Sequence, residues 1–438
     1  MIRGAAGSGK TTTAVLKLKL FLLYWISIRR VAESEEPIRA LILTFNKTLK
    51  GYVKELVAEN ITGKNVQVSV ETFSHWAYNL LDKPDICGLE LIAYYANQHA
   101  ITIGLPASFI VDEATYAMGR FLPDNLGEYL TCRRDGRGAT PRVERTTRQL
   151  LLDLVINPSN QWKRANNKYD WNDIALKVAT KDTEKYDIII TDESQDFTAN
   201  QLRALIAKLA AEGSATFVID TAQRIYIGGF TWSEIGLTIR PENSHRLSVN
   251  YRNTPEIARL SASLINCVQL DEDGTAPLLT LDSGSQRPIL LNGYFNEQVD
   301  WCIEHIKNTI NLTHDSVVFL HPKGWFSFLK KKLIASGLAH VEITRMADWP
   351  KSSVNIALST LHSAKGLDFD HVFIIGLDKK GFPEGDFDLG DDRFEHACRL
   401  LSMAIARART SVVLGCKEGE QPNLLSRLDP SCYDEIKL

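Results

Sequence analysis

The sequence predicts an α/β protein whose strands form parallel sheets. Seven short apolar runs, rich in β-branched residues, alternate along the chain with segments of helical periodicity. These strand-like runs lie at 40–45, 66–70, 187–191, 215–219, 316–320, 355–359 and 371–376. Such alternation gives parallel sheets, because each helix returns the chain to the same end of the sheet. The length of 438 residues allows about three domains of ordinary size.

The composition is that of an ordinary globular protein. Hydrophobic residues make up 44% and charged residues 24%, which excludes a collagen-like, mucin-like or wholly disordered chain. The formal charge of −3 neither indicates nor excludes a nucleic-acid partner, since only local patches need to be basic. Seven scattered cysteines without a Cys-x-x-Cys pair argue against a disulfide framework or a zinc site, so we expect a cytoplasmic protein.

The sequence predicts neither a signal peptide nor a membrane partner. The first residues lack the charged and apolar regions of a signal peptide. The longest apolar run, at 20–28, is shorter than the roughly 20 residues that a membrane span needs. We therefore interpret this run as part of a buried helix.

The segment GAAGSGKT at 4–11 predicts a phosphate-binding loop of the form G-x-x-x-x-G-K-[ST]. Glycines let backbone N–H groups turn toward a phosphate without a Cβ in the way, and the following helix points its positive end there. Lys10 is expected to reach the β and γ phosphates, and the Thr11 hydroxyl to bind Mg²⁺. A glycine-rich turn without a ligand is the alternative. The predicted nucleotide-binding residues of this loop are Gly4, Ala5, Ala6, Gly7, Ser8, Gly9, Lys10, Thr11 and Thr12.

Two carboxylates follow the apolar run at 187–191. Asp192 and Glu193 are expected at the carboxyl end of a buried parallel strand, where ligands bind in open α/β sheets. Asp192 would hold Mg²⁺, and Glu193 would orient and deprotonate the attacking water. The alternative is that they only cap the following helix.

The segments around these two sites resemble the motifs of superfamily 1 helicases of the UvrD/Rep type. The similarity extends in the right order through most of the chain. Besides the phosphate loop, it rests on LTFNK (43–47), VETFSH (70–75), DESQD (192–196), DTAQRIY (220–226), NYR (250–252), TLHSAKGLDF (360–369) and RLLSMAIARAR (399–409). The first is similar to motif Ia and the others, in order, to motifs Ib, II, III, IV, V and VI.

This resemblance implies two RecA-like P-loop domains with ATP in the cleft between them. It divides the chain into domain 1A at 1–80 and 187–248, a small, mainly helical 1B insertion at 81–186, and domain 2A at 249–438. The short interval between Arg252 and Thr360 implies that the large 2B domain of full-size relatives is reduced or absent, which puts unwinding by this chain alone in doubt.

The resemblance also implies roles for individual residues. Gln223 would contact the γ-phosphate, Arg252 and Arg407 would be arginine fingers from the second domain, and Tyr251 would stack on adenine. Gly366 and Asp368 would also line the nucleotide site, although relatives usually carry Glu where this chain has Asp368. Ordinary structural roles remain open: a polar strand end for Gln223, salt bridges or solvated faces for the arginines, and core packing for Tyr251. The implied DNA-binding residues are Phe45, Asn46, Thr72, Tyr226 and His362, with core packing as the alternative for Phe45 and Tyr226.

Three features depart from the family or extend it. Motif III lacks one stacking aromatic, which Phe230 or Trp232 would have to replace. The segment 131–148 carries six arginines against two acids, and we interpret it as a nucleic-acid backbone patch or a solvated basic loop. The three residues before Gly4 are too few for the complete strand that normally precedes a P-loop. A similarity to helicases with a nuclease-related domain therefore raises the expectation of an upstream domain or a partner subunit.

Together these observations predict an ATP- and Mg²⁺-dependent helicase or translocase that moves 3′ to 5′ on single-stranded or partly duplex DNA. One alternative is a DNA-stimulated ATPase or sensor subunit of a larger defence or repair complex, without autonomous unwinding. Another is a motor that has lost catalysis and serves as a scaffold. Strand displacement by the purified chain would distinguish these readings.

Overall fold

Two parallel sheets organise the protein. The computed structural model describes residues 1–5, 7–44, 66–135, 137, 140–220, 229–266, 286–343, 354–383 and 391–438. Within these residues every pairing between named strands is parallel. The predicted α/β class is thereby confirmed.

The first sheet has six strands in the order β3-β2-β4-β5-β1-β6. Its central strands are apolar on both faces, as in a sheet covered by helices on both sides. Ile188 and Ile190 face one helical layer, and Ile189 faces the other. The strands are β1 (Ile2–Gly4), β2 (Ile38–Thr44), β3 (Val66–Thr72), β4 (Tyr186–Thr191), β5 (Leu209–Ile219) and β6 (His245–Leu247).

The second sheet has seven strands in the order β13-β7-β12-β11-β8-β10-β9. Here too the central strands are buried on both faces, with Val318 in one core cluster and Phe319 in the other. The strands are β7 (Ile289–Asn292), β8 (Val317–His321), β9 (Val341–Ile343), β10 (Ile356–Thr360), β11 (Phe369–Leu377), β12 (Ala408–Cys416) and β13 (Asp434–Lys437).

Helices cover both sheets and fill the long connection between β3 and β4. Those of the first sheet and the connection are α1 (Lys10–Val31), α2 (Phe73–Leu80), α3 (Glu90–Ile103), α4 (Ala107–Arg120), α5 (Arg145–Leu151), α6 (Asn157–Ala165), α7 (Trp171–Thr180) and α8 (Ala199–Ala207). Those of the second sheet are α9 (Pro255–Ile265), α10 (Phe295–Thr309), α11 (Ser327–Ala335) and α12 (Asp392–Ile405). A single π-helical turn, Leu152–Ile156, joins α5 to α6.

The connection between β3 and β4 builds a helical insertion with a core of its own. Phe109, Tyr116 and Tyr129 are fully buried in this core, among aliphatic side chains of α3 to α5. Between Arg252 and Thr360, the described residues form α9, β7, α10, β8, α11, β9 and β10, which all belong to the second sheet and its helices.

The segment before the phosphate loop forms a strand, contrary to the expectation that it is too short. Ile2 and Arg3 pair in parallel with Val218 and Ile219 of β5 on one side, and β6 pairs on the other. The amino group of Met1 also donates a hydrogen bond to the Asn243 carbonyl oxygen, 2.6 Å away. The short strand β1 therefore has a hydrogen-bonded neighbour on each side.

Helix α1 is only half buried, which corrects the interpretation of residues 20–28 as a buried helix. Leu18, Leu22 and Trp25 pack on the first sheet, whereas Leu20 is 67% and Leu23 is 56% exposed on the opposite face. By length and composition alone, this is one helix that could cross a membrane. Core helices of soluble proteins pass the same test, and this one packs on a sheet.

Three of the six arginines in the basic segment at 131–148 point inward, so the prediction of a nucleic-acid patch there is wrong for half of them. Arg134 and Arg137 bind the buried carboxylate of Glu113. Arg148 donates to the carbonyl oxygens of Val143, Tyr129 and Cys132. Arg133 and Arg142 do face solvent, with side chains 86% and 85% exposed.

Glu113→Gln is expected to lower the free energy of unfolding by about 3–5 kcal/mol, because it leaves two buried guanidinium groups without their carboxylate. Glu144→Gln is the matched control, since Glu144 is exposed and lies 3.9 Å from Arg142. Urea unfolding followed by circular dichroism compares the two variants with the wild type. Equal midpoints for all three proteins would contradict a structural role for Glu113.

Candidate nucleotide site

The phosphate loop lies at the carboxyl end of β1 and leads directly into α1. Gly7 and Gly9 have φ angles of 71° and 76°, a left-handed conformation that favours glycine. A Cβ on Gly7 would lie 2.3 Å from Oδ1 of Asn250, so the segment after β6 also favours glycine at position 7. The loop is thus shaped both for its own turn and for the segment packed on it.

Lys10 and Ser8 have the surroundings of phosphate-binding side chains. The Lys10 ammonium donates to the Ala5 carbonyl oxygen at 2.7 Å and lies 3.1 Å from Oδ2 of Asp220. The Ser8 hydroxyl and the second oxygen of Asp220 are buried without a hydrogen-bond partner. Buried polar atoms of this kind are rare in folded proteins, and a bound phosphate with its cation would satisfy them.

Asp192 and Glu193 follow β4 and face the loop. The Thr11 hydroxyl donates to Oδ2 of Asp192 at 2.8 Å, which puts two oxygen ligands of the kind that Mg²⁺ prefers side by side. Burial and the neighbouring Glu193 carboxylate raise the pKa of Asp192 to about 6. A nearby cation would favour its ionised form, so the donor set fits Mg²⁺.

Glu193 is held in a special conformation and a positive environment. Its φ angle is 53°, which is unusual for a residue with a side chain. Burial alone would raise its pKa, but the charges of Lys365, Lys10 and Arg407 outweigh burial and hold the pKa below its ordinary value. Glu193 is therefore an ionised carboxylate at neutral pH, as a general base must be.

A buried lysine of motif V joins the two halves of the site, a contact that the sequence analysis did not anticipate. Lys365 is 1% exposed, makes an ion pair with Asp196, and lies 3.7 Å from Oε2 of Glu193. Asp196 belongs to the DESQD segment after β4, and Lys365 to the segment after β10. A lysine in an otherwise small and apolar stretch was the signal available in the sequence.

Three arginines converge on Asp368. The distance to its carboxylate is 3.0 Å from Arg252, 4.0 Å from Arg407 and 3.8 Å from Arg409. Arg252 also donates to the Ala406 carbonyl oxygen at 3.4 Å, which ties the NYR segment to motif VI. The sequence analysis gave roles to Arg252 and Arg407 and none to Arg409.

These groups surround one cleft of about 330 Å³ between the two sheets. Of the predicted residues, Gly4 and Ala5 do not line this cleft, and Ala6 and Gln223 fall outside the described residues. The lining consists of Gly7, Ser8, Gly9, Lys10, Thr11, Thr12, Asp192, Glu193, Tyr251, Arg252, Gly366, Asp368, Arg407 and Arg409.

Comparison with known proteins shows which helicases this chain resembles. Residues 327–418 match the family described as the UvrD-like helicase C-terminal domain. The chain is similar to a probable DNA helicase of Mycoplasma pneumoniae, with 24% identity over 94% of this chain and 80% of that protein. These matches make the chain similar to UvrD/Rep helicases, most clearly in its second half. Shorter stretches are 35% identical to the ATP-dependent DNA helicase Rep of Salmonella typhimurium and 32% identical to DNA helicase II of Escherichia coli, covering 12% and 13% of those proteins.

The predicted DNA-binding residues are only partly described. Phe45, Asn46 and Tyr226 lie outside the described residues. Thr72 is buried and caps α2, where its hydroxyl accepts a hydrogen bond from the backbone N–H of His75 at 3.2 Å. The ring of His362 lies 5.9 Å from that of His396 on α12.

The suggested replacement for the missing aromatic of motif III stays a prediction. Phe230 and Trp232 pack against each other, and Trp232 packs on Phe217 of β5, with ring centroids 5.7 and 5.1 Å apart. Both side chains are partly buried and pack against the core beneath the first sheet.

Tyr251→Ala is expected to weaken ATP binding about twofold to tenfold, the loss of one aromatic stacking contact. The side chain is 80% exposed at the mouth of the cleft, and its backbone hydrogen bond to Gly7 does not depend on the ring. Titration with a fluorescent ATP analogue measures the change. Tyr94→Ala, an exposed tyrosine on α3, is the control. Unchanged affinity in Tyr251→Ala would contradict the stacking role.

Proposed function

We propose that the protein is an ATP-dependent DNA helicase or translocase that moves 3′ to 5′ on single-stranded DNA. The main support is that one cleft collects the phosphate loop and two carboxylates of the first sheet together with the arginines near the second sheet. The relatives named as DNA helicases support DNA as the substrate. Residues 1–80 with 187–248 would act as one motor domain and 249–438 as the other.

In this proposal the first sheet holds ATP. The loop N–H groups and Lys10 bind the phosphates, and Lys10 exchanges Asp220 for the nucleotide. Thr11 and Asp192 would hold Mg²⁺, which offsets negative charge on the phosphates when bound. Glu193 orients the attacking water and accepts its proton. Its ionised state at neutral pH supports that role.

ATP binding would then draw the second half inward. Arg252 is bound to Asp368, so a γ-phosphate would have to compete with that carboxylate for the guanidinium group. Arg407 lies beside the same carboxylate. Both arginines would stabilise charge on the transferring phosphoryl group, and its departure would return Arg252 to Asp368. Each cycle thereby changes the contact between the two halves.

A second feature supports a nucleic-acid substrate. The turn after β8 presents Trp325, 63% exposed, with the Lys323 ammonium 5.3 Å from the centre of its ring. Burial lowers the pKa of His321 to about 4, so the ring is neutral and Nδ1 accepts hydrogen bonds from the backbone N–H groups of Lys323 and Trp325. His321 pairs with Thr360, the first residue of motif V. An exposed aromatic beside a cation suits a stacked base and its phosphate.

ATP hydrolysis measured with and without single-stranded DNA tests the proposal. The wild type is expected to hydrolyse ATP faster with DNA. Lys10→Ala is expected to reduce the rate at least ~100-fold, because it removes a donor to the phosphates. Arg407→Ala is expected to reduce it ~1,000-fold or more, the usual effect of a lost arginine finger. Lys330→Ala, an exposed lysine on α11, is the control.

The outcomes separate the alternatives. No hydrolysis by the wild type under any condition would contradict an autonomous motor. DNA-stimulated hydrolysis without strand displacement or movement would favour the sensor subunit over the helicase. Displacement of a strand annealed at the 3′ end of the tracking strand, in place of one annealed at its 5′ end, would contradict the 3′ to 5′ direction.

Trp325→Ala is expected to weaken binding to single-stranded DNA about 5- to 150-fold, the range for one base stacked on an aromatic ring. Trp325→Phe should retain most of the affinity. Lys323→Gln should instead reduce the salt dependence of binding, because it removes a phosphate contact. Fluorescence anisotropy of a labelled oligonucleotide at several salt concentrations measures both effects. Equal affinities of Trp325→Ala and the wild type for the oligonucleotide would contradict a role of this turn in DNA binding.

A further inference from the structure

A second contact joins the helical insertion to the second sheet's helices, away from the nucleotide cleft. The Arg137 guanidinium lies 2.8 Å from Oδ2 of Asp392, and these side chains are 4% and 13% exposed. Beside this pair the backbone N–H of Asp392 donates to the Thr140 carbonyl oxygen at 2.9 Å, and Thr140 pairs with Asp391 as an isolated parallel bridge. We name these four residues the clasp.

The clasp is anchored firmly on the side of the insertion. Arg137 also donates through Nε to Oε2 of Glu113 at 3.3 Å. Glu113 is fully buried and accepts further hydrogen bonds from Arg134 and Tyr129. The guanidinium group therefore bridges a fixed carboxylate in the insertion and Asp392 at the start of α12.

On the other side, the clasp is continuous with the predicted DNA-binding face. His396 lies one helical turn after Asp392, and its ring is 5.9 Å from that of His362 in motif V. Three residues after His362, Lys365 is buried against Asp196 of the first half. His362 therefore lies between two places where the halves touch, the clasp and the floor of the cleft.

We propose that the clasp closes the nucleic-acid face of this protein and has to open before a strand without a free end can enter. The inference rests on the proposed function, since it assumes that the strand passes His362. The chemistry of the clasp suits reversible opening. Arg137 and Asp392 both regain water when they separate, so the opened state leaves no isolated buried charge at Asp392. Polar contacts between domains of one chain commonly permit such motion.

A disulfide across the backbone bridge tests the clasp directly. Paired strands lie about 5 Å apart, which is within the Cα separation that a disulfide accepts. The variant Thr140→Cys/Asp391→Cys is expected to be locked when oxidised. Binding to closed circular single-stranded DNA should then be at least tenfold weaker than for the same protein after reduction. A linear oligonucleotide of the same composition shows whether a free end can bypass the closed clasp.

The controls separate this inference from the proposed function. Each single cysteine variant should bind circular DNA equally well under oxidising and reducing conditions, which also covers the loss of the Asp391 cap on α12. Asp392→Asn weakens the clasp without a disulfide and should speed association with circular DNA. If oxidised and reduced double variants bind circular DNA equally, the clasp proposal is wrong. If the wild type binds neither DNA form, the proposed function itself fails.

Discussion

The buried ammonium of Lys365 is the interaction on which the geometry of the nucleotide site depends. A charge with 1% exposure has to be paired, and its partners Asp196 and Glu193 lie on the other half of the protein. The pair fixes motif V against the segment after β4. Asp368, three residues beyond Lys365, lies within reach of Arg252, and the charge of Lys365 helps to keep Glu193 ionised in spite of its burial. The cleft is thus defined by an electrostatic requirement as much as by packing.

The sequence predicted those parts of the site whose residues lie close together in the chain. The phosphate loop and the paired carboxylates depend on short spacings at the ends of parallel strands, so the sequence was enough to identify them. The role of Lys365 depends on a partner 169 residues away, and no local pattern shows such a pair. Gln223 and Tyr226 remain predictions, because they lie outside the described residues.

The fold shows the same division. Alternating strand and helix patterns were sufficient for two parallel sheets, because buried strands are apolar on both faces. The basic segment was misjudged because its net charge was counted without Glu113, which lies upstream on α4 and neutralises two of its arginines. Helix α1 was misjudged because an all-round apolar helix does not show from sequence which face meets the sheet. In each case the deciding partner is distant in sequence.

Helix α12 connects the clasp to Arg407, which lines the nucleotide cleft. Its first turn carries Asp392 of the clasp, and Arg407 follows two residues after its last turn at Ile405. A helix of this length transmits a displacement at one end to the other, because its backbone hydrogen bonds resist bending. In the proposed cycle ATP would draw Arg407 inward and load the contact between Arg137 and Asp392, and opening of the clasp would leave Arg407 freer to move. DNA loading and ATP binding would then be coupled through one displacement of α12, without any contact between the DNA and the nucleotide.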